Sequence, residues 1–213
     1  MSPRLRGAVV LLLFVASGCA THDGGGGSSD PSPPRAPRAD DGPLRIDDDP
    51  VGMSVRAPEG RHPVRWTASF GARHLCAERP VTVTAVEPDW DAAPISASFL
   101  IDTLDAHEAE QERSDFYSAL GAAPDFSERY ATEEPLVSTT RAVGATVDHP
   151  CSASPSAVGR QELVVVLRVD EGGADLRRID VTYEDEAGDR YVEHVRRWRM
   201  AVCGTHVPPH LCR

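Results

Sequence analysis

Cysteine and histidine are the residues of this chain best equipped for chemistry, and their spacing is not random. Beyond residue 19 there are four cysteines, Cys76, Cys151, Cys203 and Cys212, and three of them follow a histidine by two positions: His74-Leu75-Cys76, His149-Pro150-Cys151 and His210-Leu211-Cys212. The last triplet closes the run Cys203-Gly204-Thr205-His206-Val207-Pro208-Pro209-His210-Leu211-Cys212, a C-x2-H-x3-H-x-C spacing. Thiolate and imidazole are the ligands that zinc and copper(I) prefer, so Cys203, His206, His210 and Cys212 form a candidate zinc or copper site. The competing chemistry is oxidation, because an even number of cysteines in an exported domain ordinarily closes in pairs. The spacing matches no zinc-finger pattern, and Pro208-Pro209 stiffens the span. Disulfides joining Cys203 to Cys212 and Cys76 to Cys151 are therefore expected. Cys203 ends the last expected strand, and a bridge to Cys212 would pin a segment with little apolar content of its own. The rival connectivity joins Cys151 to Cys203.

Other catalytic patterns fail on inspection. His107-Glu108-Ala109-Glu110-Gln111 begins like H-E-x-x-H, yet Gln111 stands where zinc needs a second imidazole one helical turn on. There is no G-x-S-x-G and no G-x-G-x-x-G. The chain contains no lysine, which excludes a Schiff-base lysine, a P-loop lysine and an S-x-x-K nucleophile. Asp47-Asp48-Asp49 and Glu184-Asp185-Glu186 with Asp189 lack EF-hand spacing, and a charged hairpin tip is normally just solvated. No enzymatic activity is expected.

The fifth cysteine, Cys19, sits in a different setting. Arg4 and Arg6 precede an apolar run from Gly7 to Ala16, and Ser17-Gly18-Cys19 closes it with small residues. Ten residues rise only about 15 Å as a helix, against a hydrocarbon core of about 30 Å, so the run reads as a secretory signal rather than a membrane span. The ending Ala16-Ser17-Gly18-Cys19 resembles the lipobox of bacterial lipoproteins, with Ala16 where that family usually carries Leu. The resemblance covers the first twenty residues or so and implies nothing about the fold behind them. It implies that residues 1–18 are a cleaved signal peptide and that Cys19 is lipidated, with diacylglycerol on its sulfur and a palmitate-class acyl chain on its new amino terminus. Two or more acyl chains anchor stably where one binds only marginally. The expected location is the extracytoplasmic face of a membrane, lipid-anchored.

Removing Arg4 and Arg6 leaves 20 basic residues against 33 acidic ones, a net charge near −13. So acidic a surface repels phosphate backbones, and nucleic acid is excluded as a partner. From Cys19 to Pro43 the chain is a Gly-, Ser- and Pro-rich linker without periodicity, unable to bury enough apolar surface to offset its ordering entropy. Its flexible reach is roughly 25–30 Å.

From 44 to 213 the pattern is that of short strands between polar turns. Val64–Phe70, Val81–Val86 and Ile95–Ile101 alternate apolar and polar residues, the period of half-buried strands. Leu104–Arg113 holds helix formers with no apolar face, which predicts a short helix or a long loop docked by Phe116, Tyr117, Leu120 and Phe126. Leu136–Val147 contains an expected edge strand. Glu162–Val169 is apolar on both faces and reads as a central strand, followed by Ile179–Tyr183 and Arg190–Cys203 across a turn at Ala187-Gly188-Asp189. These three are expected to form an antiparallel meander. About seven strands without a long amphipathic helix predict an all-β, antiparallel β-sandwich of immunoglobulin-like architecture. The expected function is binding to another envelope protein or ligand, with extracytoplasmic zinc or copper handling through the Cys/His tail as the alternative.

Overall fold

Strands with one apolar face must bury it against another layer, and here fourteen strands among the described residues do so in two stacked sheets. The structure is a computed structural model and describes residues 37–39, 42–47, 50–57, 65–71, 73–103, 118–121, 139–153 and 158–212. Sheet A contains β1 (Arg38–Ala39), β3 (Val51–Val55), β6 (Val81–Ala92), β10 (Thr146–Val147), β12 (Ala174–Asp185), β13 (Arg190–Val195) and β14 (Trp198–Val202). Sheet B contains β2 (Leu44–Ile46), β4 (Trp66–Phe70), β5 (His74–Ala77), β7 (Ser96–Thr103), β8 (Ser118–Leu120), β9 (Thr140–Arg141) and β11 (Gln161–Val169). The all-β sandwich expected from the sequence is the fold found, with more strands among the described residues than the seven or so anticipated.

Each sheet is built on one long strand. β12 pairs along one edge with β6 and along the other with β13 and then β14. β11 pairs with β7 on one side and with β4 and β5 on the other. The core lies between them: Phe70, Leu75, Ile101, Leu163, Val165 and Leu167 from sheet B meet Val83, Leu176, Ile179, Tyr183, Trp198 and Met200 from sheet A. A narrow apolar gap beside Leu44, Val83, Ile101 and Val181 lies between them, with space for about one water molecule. It is too small to be a ligand pocket.

Three expectations are corrected. Glu162–Val169 does not form a meander with the segments that follow, since β11 belongs to sheet B and β12 to sheet A. The chain changes sheet at Asp170-Glu171-Gly172-Gly173, where Gly173 takes a φ of 77°, open to glycine and strained for other residues. The meander instead begins at β12, whose partners β13 and β14 both derive from the single expected strand Arg190–Cys203. Secondly, β6 does not stop at Val86 but runs to Ala92 opposite β12, absorbing register shifts on the way. Thirdly, the folded domain begins ahead of residue 44. Arg38–Ala39 pairs parallel with Tyr191–Val192, and Gly42 and Pro43 are buried. A Cβ at Gly42 would lie 1.8 Å from the Tyr183 hydroxyl and 2.9 Å from the Tyr191 ring, so only glycine fits beneath that stacked pair. The expected edge strand in 136–147 appears as two pieces, β9 beside β7 and β10 beside β6. The segment 104–113, together with Phe116, Tyr117 and Phe126, lies outside the described residues.

Candidate functional site

The outer face of sheet A carries a lattice of opposite charges. Alternation along β12 sends Leu176, Ile179 and Tyr183 inward and leaves Asp175 and Asp180 outward, and an irregularity between Leu176 and Arg178 brings Arg177 and Arg178 together. Both arginines reach Asp89 of β6, Arg177 at 2.7 Å and Arg178 at 3.8 Å. Arg178 also meets Asp180 at 3.2 Å, and His194 of β13 meets the same carboxylate at 2.8 Å. On β14, Arg199 donates to both oxygens of Asp175, at 2.9 and 2.7 Å, and to Asp91 at 2.9 Å. Asp175 is fully buried, and the two-pronged guanidinium contact is the geometry a desolvated carboxylate needs. The hydrogen bond with Asp175 holds the Arg199 guanidinium above the ordinary arginine range.

Asp175 stands in register between Ala92 of β6 and Ala201 of β14, beside the patch that the C-terminal segment covers. Ala92 and Ala201 point away from the main core and form a second, small apolar cluster with Val207, Leu211 and Cys212. The segment returns through a 3-10 turn, Pro209–Cys212, and the Cys203–Cys212 disulfide closes it with Cα atoms 5.8 Å apart. Its first half is stitched to the turn between β11 and β12. Thr205 N donates to Glu171 O at 2.8 Å and His206 N to Gly172 O at 2.9 Å. A Cβ at Gly204 would fall 2.3 Å from the backbone of Gly172 and Gly173, so two glycine backbones meet where no side chain fits. In its second half, Leu211 N bonds within the turn to Pro208 O, and Arg56 donates to Cys212 O.

The same geometry commits both cysteines of the metal reading to a disulfide. Cys203 and Cys212 spend their sulfurs on each other, which removes two of the four proposed ligands, and His206 and His210 are exposed. Among the described residues no group of three histidine, cysteine or acidic side chains gathers closely enough to hold a metal ion. The other disulfide joins Cys76 of β5 to Cys151, with Cα atoms 4.8 Å apart. The backbone reinforces it, since Ala77 N donates to His149 O at 2.8 Å and Ala77 bridges Pro150. These are the two pairs expected from the cysteine spacing. His149 is buried beside them, and burial, then the Arg160 charge and His74, push its imidazole below the ordinary histidine value, with Asp148 opposing.

The acidic tip Glu184–Asp189 is occupied by its own hydrogen bonds. Asp185 accepts from Ala187 N and Asp189 N on one oxygen, both at 3.0 Å, and from Arg79 on the other at 2.7 Å. Arg79 holds this carboxylate below the usual range. Neither Arg73 nor Asp175 was picked out by the sequence. Arg73 is buried with its guanidinium 5.2 Å from the Trp198 ring centroid and 3.2 Å from Asp47 O. No local signal marks it. Asp175 offered one, an acid at an outward position of a strand whose neighbours are apolar. Cys19, Asp48, Asp49 and the His107–Gln111 run lie outside the described residues.

No family model, no curated protein and no solved structure matches this chain.

Proposed function

We propose that this protein is a lipid-anchored envelope lipoprotein that displays a disulfide-closed β-sandwich for binding another envelope component. The observation that carries the reading is a conjunction: a short apolar run ending in Ser17-Gly18-Cys19, and a folded domain whose four other cysteines are joined in two pairs. Paired cysteines fit an oxidising, extracytoplasmic compartment, and acylation of Cys19 fits a domain held at a membrane. Residues 1–18 are the signal peptide in this reading, and the chain from Cys19 to the start of β1 is the spacer. The Arg–Asp lattice of sheet A is the surface offered to a partner, its mixed charge suiting a protein face better than an anionic polymer.

The test is replacement of Cys19 by Ser, followed by detergent phase partitioning of cells expressing each form. The expected result is a detergent-phase wild type and an aqueous or unprocessed C19S variant. Identical processing and partitioning of the two overturns the lipoprotein reading.

A further inference from the structure

The two disulfides hold unlike things. Breaking Cys76–Cys151 leaves its partners attached through the Ala77–His149 hydrogen bond and the Ala77–Pro150 bridge. Breaking Cys203–Cys212 leaves the first half of the C-terminal segment tied by Thr205 and His206, and the second half held by far less. Pro208–Cys212 then keeps its own-turn bond, the Arg56 contact and the burial of Leu211 and Cys212 against Ala92 and Ala201. Cys203 and Cys212 are partly buried, and of the other pair Cys76 is partly buried and Cys151 exposed, so access does not rank the two bonds. What ranks them is the hold on the opened thiols: a pair kept together by its backbone re-closes readily, and a pair whose strap leaves does not.

We propose that Cys203–Cys212 is a redox latch on a strap, and that its reduction lifts Pro208–Cys212 from the outer face of sheet A while the sandwich stays folded. The reductant is a thioredoxin-class dithiol. Its thiolate attacks one sulfur of the pair, forms a mixed disulfide and expels the other cysteine as thiolate. Its second thiol then displaces the mixed disulfide. Two electrons and two protons pass to the pair, Cys203 and Cys212 end as thiols, and the dithiol ends as a disulfide. The strap's departure uncovers the part of the Ala92–Ala201 patch that Leu211 and Cys212 cover, while Val207 stays seated on it. The face so changed is continuous with the charge lattice described above. This inference does not depend on Cys19 being acylated.

The experiment titrates the full-length chain with a thioredoxin-class dithiol, maps thiols by differential alkylation and follows amide hydrogen exchange residue by residue. Cys203 and Cys212 are expected to alkylate before Cys76 and Cys151. The Leu211 amide is expected to exchange roughly 50- to 100-fold faster once the bond is open, the gain in freedom that a loop this short implies. Thr205, His206 and the amides of β12 keep their protection. Prior reduction of Cys76–Cys151, a Leu211 amide unchanged after the bond is open, or loss of β12 protection together with Leu211 each overturns the proposal. The C203S/C212S variant, assayed without reductant, repeats the measurement by an independent route, and reduction of the wild type decides the matter if that variant does not fold. The C19S form must behave like wild type here, so this result and the anchoring result fail separately.

Discussion

At the turn between β11 and β12 a single absent methyl group decides whether the C-terminal segment can approach. Gly173 has a φ of 77°, and a Cβ there would lie 2.2 Å from the Val202 carbonyl oxygen. Gly188, at the β12–β13 hairpin, has a φ of 79° but nothing within 4 Å of where its Cβ would stand. The pair separates backbone strain from steric collision. Gly188→Ala is expected to cost about 1–2 kcal/mol, the left-handed penalty alone. Gly173→Ala adds overpacking and is expected to cost about 2–4 kcal/mol. Urea unfolding midpoints at matched slopes measure both. The sequence shows Gly172-Gly173 as a turn, but not that Gly204 is the partner pressed against it, because that contact joins residues some thirty positions apart. The same limit hides Arg73 over Trp198. Cysteine pairing was more legible, since Cys203 and Cys212 are close in the chain and one choice fixes the other.

Elements were readable by period and unreadable by destination. Alternation identified β4, β7, β11 and β12, because a strand between water and core must alternate and a strand apolar on both faces must be central. Nothing in the alternation says which sheet a strand joins, and a glycine turn serves a hairpin and a crossover equally well. That is why β11 and β12 were expected to pair and do not. Composition placed the linker's end at Pro43, while packing places it ahead of Arg38: Pro43 O accepts from Glu78 N at 2.9 Å, and Arg45 donates to Gly42 O at 2.6 Å. Two deletions test this boundary. Removal of residues 21–36 is expected to leave the melting temperature within about 2 °C of wild type, since that stretch has too few apolar residues to pack. Extension of the deletion through Pro43 is expected to lower it by about 5–10 °C, on the order of 2–3 kcal/mol for a domain of this size. Equal melting curves for the two deletions would show that Gly42 and Pro43 contribute nothing.

For the molecule as a whole, acid is the condition under which buried charge matters most. His149 is buried with Arg160 and His74 beside it, and its folded-state pKa lies below that of the unfolded chain. The unfolded state therefore binds the proton more readily. Stability is flat above about pH 6.5 and falls as pH drops below that value, by no more than about 1.4 kcal/mol per pH unit for one proton. The loss ends once pH passes the folded pKa. His149→Gln is expected to flatten that slope, which urea midpoints at pH 7.5 and pH 5.5 measure; an unchanged slope would remove His149 from the account. Asp185 acts in a separate, more acidic window. Its depressed pKa gives stability that is present above the ordinary aspartate value and lost as pH falls through the folded one.

The chain enters the sandwich through the two residues of β1, parallel to β13, and only then through Gly42 and Pro43, seated beneath the Tyr183–Tyr191 stack. Tension on the chain ahead of Arg38 thus meets two links in series. The β1 pairing, only two residues long, yields first and re-forms when the load drops. The glycine–proline wedge yields only when the two tyrosines part, and they belong to the core. A chain under such a load would lengthen by surrendering β1 while the sandwich behind it stays shut.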